Sequence, residues 1–204
     1  MQTSSRFTPP SVAAAYTAGM SSAAVTRYIP LARALHWLLA LGIVGNFALG
    51  VYMSDLPFSP ARLQYYSWHK WAGVLVLAFS AVRLLTRLLS PPPALPDAVE
   101  ATMPGWQKLA HHATHLALYA LFFAVPLTGW AYSSAAGFPI VLFGLLPLPD
   151  FVPVSEGLAD VLKELHELSA FAMAGLVLLH VAGALKHQLI DRDGLLSRMS
   201  FGRR

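Results

Sequence analysis

Eight histidines, at positions 36, 69, 111, 112, 115, 166, 180 and 187, are the residues of this sequence best equipped for chemistry. Three of them, His166, His180 and His187, fall in one apolar stretch, HELSAFAMAGLVLLHVAGALKHQ. At about 100° per residue, the step from His166 to His180 returns to within about 40° of the same helix face, some 21 Å further along. His187 continues the stripe by two more turns. Ionisable groups in an apolar span are costly and mark relays, ion paths or cofactors. There is no cysteine, which excludes disulfides, thiolate metal sites, iron–sulfur clusters and covalently attached haem. A metal here must lean on His, Met or carboxylate.

The elements that position these groups are membrane spans. The chain has 204 residues, 56% hydrophobic and 12% charged, with a mean hydropathy of +0.55. That is the composition of an integral membrane protein, long enough for one bundle. Four segments can cross about 30 Å of hydrocarbon, at roughly 31 to 53, 66 to 89, 108 to 132 and 160 to 188. Residues 1–26, rich in Ser, Ala, Thr and Pro, read as a disordered tail without the pattern of a signal peptide, and Met20 offers an alternative start. The second connection, SPPPALPDAVEATMPG, cannot continue a helix. The third, residues 133–157, is apolar but broken by Pro139, Pro147, Pro149 and Pro153, so it reads as an interfacial loop with one short helical turn.

Charge gives the orientation. Eleven of the fourteen basic residues lie on the side of the two termini, against Arg62, Lys70 and Lys163 on the other. The positive-inside rule places both termini in the cytoplasm. The net charge of +4 therefore speaks of topology and not of nucleic acid. Trp68, Trp71, Trp106 and Trp130 fall at span ends, as interfacial belts require.

Antiparallel spans then give each histidine a depth. The outer leaflet holds only His69 and His166, which can face each other. The inner leaflet holds His180 with a choice of partner among His36, His112 and His115, while His111 belongs at the inner interface. Two His pairs stacked across one membrane suit two haems: a bis-His iron has no free site, so its work is electron transfer. Zinc would ask for four ligands at one depth. Gly42, Gly45, Gly73, Gly175 and Gly183 leave room for a flat macrocycle and equally suit plain helix packing. Arg83 and Arg87 either snorkel to headgroups or meet a haem propionate or quinone. A non-redox transporter or proton channel with a histidine relay is the reading from another class.

These residues resemble the bacterial cytochrome b561 family, four-helix di-haem proteins of the inner membrane. The resemblance covers about residues 27–200 and rests on ARALHWLLA, SWHKWAG with its exit VRLLTRLLSPPP, LAHHATHLALYALFFAVPLTGW, and KELHE through LLHVAGALKHQLIDRDGLLSRM. It implies an all-α, multi-pass four-helix bundle with two haems b, the inner held by His36 and His180 and the outer by His69 and His166. His115 and His187 match positions beside the inner haem associated with quinone or proton handling, and with Arg83 they form a candidate quinone site. The implied function is single-electron transfer between a periplasmic redox partner and membrane ubiquinone, in one type with superoxide as donor; a cytochrome b subunit of a dehydrogenase or hydrogenase is the rival. The outer segments carry six acidic residues against three basic ones, a poor field for attracting an anion.

Overall fold

A computed structural model describes residues 27–95 and 97–201, so the tail at 1–26 lies outside the described residues. Four long helices dominate: α1 (Pro30–Ser54), α2 (Pro60–Leu89), α4 (Gly105–Ala135) and α5 (Glu156–Lys186). Each is long and apolar enough to span a membrane. A short helix, α3 (Asp97–Thr102), lies within the second connection, separate from both neighbouring spans. The prolines flank it and do not occupy it.

The helices begin earlier than hydropathy alone suggests. α2 starts six residues before the predicted position 66 because Ser59 caps it, its side chain accepting from the Arg62 N–H, with Pro60 at the first turn. α5 is started in the same way by Ser155, which accepts from Leu158. α4 carries Pro126 in its interior, where the ring removes one backbone donor.

The third connection departs from expectation more clearly. In place of a helical turn, Val141–Leu142 (β1) pairs antiparallel with Leu146–Pro147 (β2). Phe143 and Gly144 turn the hairpin at φ of 53° and 73°. A phenylalanine there is unusual, and its ring is held against Trp71 at 5.4 Å while the Trp71 indole donates to the Val141 carbonyl at 2.7 Å. Lys70 donates to the Phe138 carbonyl, so α2 anchors the hairpin through two consecutive side chains.

α1 packs chiefly on α2 and α4 on α5, and the α2–α4 contact joins the two pairs. Leu39, Ile43, Leu118, Val125 and Met173 form the core, with Val76, Phe79 and Phe122 packed against them. Leu41 and Leu178, 74% and 72% exposed, face outward as lipid-facing positions do. This is a multi-pass membrane bundle.

At the end where the described chain starts and finishes, residues beyond α5 fold back as a strap. The helix widens into one π turn (His187–Asp191), the chain reverses through Arg192 and Gly194 at positive φ, and a 3-10 turn follows (Leu195–Arg198). The strap is tied across the bundle. Arg33 donates to the Ser200 carbonyl at 2.8 Å, Trp37 to Met199 at 3.0 Å, and the buried Arg198 to both Pro93 and Ala94.

Candidate functional site

Each histidine is placed by a helix whose direction alternates, so the bundle has two histidine levels with the apolar core between them. At the hairpin end, α2 brings His69 to His166 of α5, ring centroids 6.0 Å apart. At the termini end, α1 brings His36 to His180 of α5 at 6.1 Å. Two imidazoles bound at about 2 Å on opposite sides of one first-row metal have centroids about 6 Å apart. Both pairs fit.

The hairpin-end pair is oriented by backbone. His69 Nδ1 lies 3.1 Å from the Asn46 carbonyl and His166 Nδ1 lies 2.9 Å from the Val125 carbonyl. A carbonyl only accepts, so both rings carry the proton on Nδ1 and keep the Nε2 lone pair for a ligand. The same Val125 carbonyl also accepts from the Thr128 hydroxyl at 2.9 Å.

Two glycines complete this level, and neither was among those singled out from sequence. A Cβ on Gly129 would come within 2.8 Å of His166 Cε1, and one on Gly50 within 3.0 Å of His69 Cε1. The rings lie directly over the helix backbones of α4 and α1. By contrast, a Cβ at Gly42 would meet only Val76, one at Gly73 only Asn46, and at Gly45, Gly175 and Gly183 nothing within 4 Å. Those positions leave space without touching a histidine.

At the termini end the surroundings are more polar. Arg83 donates to the Ala32 carbonyl at 3.1 Å and approaches His36 Nδ1 at 3.3 Å. Arg83 and Arg87 both lie over the Tyr119 ring. His115, its Nδ1 turned to the His111 carbonyl at 2.7 Å, lies 5.1 Å from His180 between centroids. That spacing is about 1 Å short for two imidazoles on opposite sides of one iron, whereas His36 fits. His112 turns back to its own helix at Lys108, and His111 stacks on His115 at 4.3 Å.

His187 stands in a separate cluster. Its Nδ1 lies 2.5 Å from Asp193 and 3.2 Å from Asp191, while its Nε2 lies 3.3 Å from Gln107 of α4. Among the described residues, no hydrogen bond joins Arg83, His115 and His187 to one another; the first two border the His36–His180 level and the third lies beyond it. Asp193 and Gln107 were not singled out from the sequence.

The donor set is thus two facing pairs of imidazoles, one oriented by backbone carbonyls and one bordered by Arg83, a set that would suit haem iron. Comparison with known proteins agrees. The profile of the prokaryotic cytochrome b561 family matches residues 27–202. Cytochrome b561 homolog 2 of Escherichia coli (strain K12) is 37% identical over 181 residues, covering 85% of this chain and 90% of that relative. The probable superoxide oxidase CybB of Yersinia pestis is 30% identical over 177 residues, covering 85% and 95%. Cytochrome b561 homolog 1 of E. coli is 30% identical over 167 residues, covering 81% and 92%.

Proposed function

The chain belongs to the prokaryotic cytochrome b561 family, a multi-pass electron-transfer protein of the bacterial inner membrane, and on that premise we propose that it moves single electrons between a periplasmic partner and ubiquinone. The observation that carries this reading is the pair of facing histidine couples, 6.0 and 6.1 Å apart, on two levels of one bundle. In this reading residues 27–200 form the functional domain, with both termini cytoplasmic. His69 with His166 and His36 with His180 hold two haems b, which supply reversible one-electron chemistry when bound.

The chain's own groups do the rest. The Asn46 and Val125 carbonyls hold the outer imidazoles in the tautomer that can ligate. The core of Leu39, Ile43, Leu118 and Met173 keeps water out between the two levels, so that protons do not follow electrons through the bundle. At the inner level Arg83 and Arg87 offer positive charge to an anionic propionate or a reduced quinone oxygen. His115 and His187 are the proton-handling candidates beside it.

Superoxide as the periplasmic donor is a second reading, favoured by the likeness to the probable superoxide oxidase. Lys70, adjacent to His69, is the cation best placed to draw an anion there. The test of the main reading is spectroscopic. Purified protein should show sharp reduced α and Soret bands and two haems per chain by pyridine haemochromogen; absence of haem would sink it, and superoxide-driven ubiquinone reduction in liposomes would decide the donor.

A further inference from the structure

Under the quinone reading, the His187 imidazole must deliver a proton in one direction. The cluster around it supplies the parts. Asp193 comes from the strap beyond the π turn and places Oδ2 2.5 Å from His187 Nδ1. Its other oxygen, Oδ1, accepts from the Leu195 backbone N–H at 3.0 Å, which fixes the carboxylate in place. Asp191 is a weaker rival: it is 3.2 Å from the same nitrogen and is already engaged by Lys186 Nζ at 2.6 and 2.9 Å. On the opposite side of the ring, Gln107 of α4 lies 3.3 Å from Nε2.

We propose that Asp193 is the positioning residue of His187, holding it as the Nδ1–H tautomer so that Nε2 is the atom that loads a proton and passes it to a quinone oxygen. This rests on the quinone reading of the preceding subsection. With Asp193 accepting at Nδ1, Nε2 is the only ring nitrogen left to bind a proton. A proton taken there makes an imidazolium whose charge the Asp193 carboxylate offsets. The Nε2–H bond then breaks as the O–H bond of the reduced quinone forms, and His187 returns to the neutral ring. Each quinone takes two electrons from the one-electron reductant at the opposite face and two protons, one of them by this route. Gln107 is the side chain that shares Nε2 until the quinone oxygen arrives.

Among the described residues, the charged and titratable groups facing His187 are Lys186, Asp191 and Asp193 on its own segment and His111 on α4. Lys186 and Asp191 compensate each other. Asp193 is the carboxylate nearer to Nδ1, at 2.5 Å against 3.2 Å for Asp191, and so answers a proton on His187 most directly.

The experiment uses the full-length haem-loaded protein, reduced with dithionite, desalted and mixed in a stopped flow with a short-chain ubiquinone. Oxidation of the α band reports electron transfer, and a pH-indicator dye reports proton uptake. Asp193→Asn should slow both together by at least about tenfold, the size expected for disabling a general acid. The quinone concentration for half-maximal rate should change less than the maximal rate, and the rate should lose its dependence on pH. Asp193→Glu, which keeps the carboxylate, should recover much of the rate and the pH profile. Equal losses in the Asn and Glu variants with an unaltered pH profile would reduce Asp193 to a structural tie and overturn the proposal. If Asp193→Asn does not accumulate, a normal pH profile combined with a tenfold loss in Asp193→Glu overturns it equally. His187→Gln separates the two levels of inference: a slow His187→Gln beside a normal Asp193→Asn refutes only the role of Asp193, whereas a normal His187→Gln refutes the quinone reading of His187 itself.

Discussion

Gly129→Ala is the smallest change that should remove one haem. The added Cβ would sit 2.8 Å from His166 Cε1 and 3.0 Å from Nδ1. Carbon–carbon contacts are comfortable from about 3.5 Å, so the ring must retreat by about 0.7 Å or the helices must part by that much. The ring has little freedom to do so, because its Nδ1 is held at 2.9 Å by the Val125 carbonyl one turn earlier on the same helix as Gly129. Overpacking of this kind costs about 1 to 3 kcal/mol. At about 2 kcal/mol, affinity at the His69–His166 level falls about 30-fold. Pyridine haemochromogen assay of protein purified from membranes should then give close to one haem per chain, with the spectrum of the remaining haem unchanged. Gly175→Ala is the matched control, since its Cβ meets nothing within 4 Å and should leave haem content as it was. A Gly129→Ala protein with full haem content and an unshifted α band would show that the His166 ring is not confined against α4, and the ligation drawn from it would fail.

Other outcomes follow from the same geometry. His69→Ala or His166→Ala should lose one haem and keep the other, and retention of both would reject the pairing. His36→Ala should empty the inner level while His115→Ala keeps it, because only His36 lies at the 6.1 Å spacing from His180; the opposite result in haem assays would make His115 the ligand. Arg198→Ala removes two charge-assisted bonds to Pro93 and Ala94 that tie the strap to the second connection, at about 2 kcal/mol or more. Its thermal unfolding midpoint in detergent should drop by about 4 to 8 °C, and an unchanged midpoint would mean the strap contributes nothing to stability.

Much of this arrangement could be read from residue type and spacing because membrane spans are nearly one-dimensional objects. A helix start, a direction and a rise per residue assign a depth, and depth alone selected His69 with His166. Depth alone left His36 and His115 as alternatives for His180, and only the family resemblance chose His36; the ring spacings of 6.1 and 5.1 Å are the structural distinction between the two. The roles of Gly50 and Gly129 were hidden for a related reason. Seven glycines fall within the α1, α2, α4 and α5 spans outside their first turns, at 42, 45, 50, 73, 129, 175 and 183, and sequence does not say which of them lies under an imidazole ring. The hairpin was missed because its turn uses Phe143 at positive φ, a conformation that becomes tolerable only when Trp71, seventy-two positions earlier, supplies a ring to pack on and a donor for Val141.

Asp193 was hidden by a change in helix type. Had α5 continued as an α-helix, Asp193 would lie six residues beyond His187, about 120° around the axis and pointing away from it. Asp191, four residues on, would have been the natural partner. The structure inverts that order. The π turn at His187–Asp191 widens the ladder, Arg192 at φ 54° and Gly194 at φ 75° reverse the chain, and the carboxylate six residues on returns to the imidazole at 2.5 Å. Positive φ at a non-glycine residue is disfavoured, so Arg192 is a local cost that the strap's contacts with Arg33, Trp37, Pro93 and Ala94 must offset. A sequence that needed only to end a helix would have used Gly at the first of these positions. The π turn and the left-handed Arg192 together bring Asp193 back to His187, the contact on which the proposed proton transfer depends.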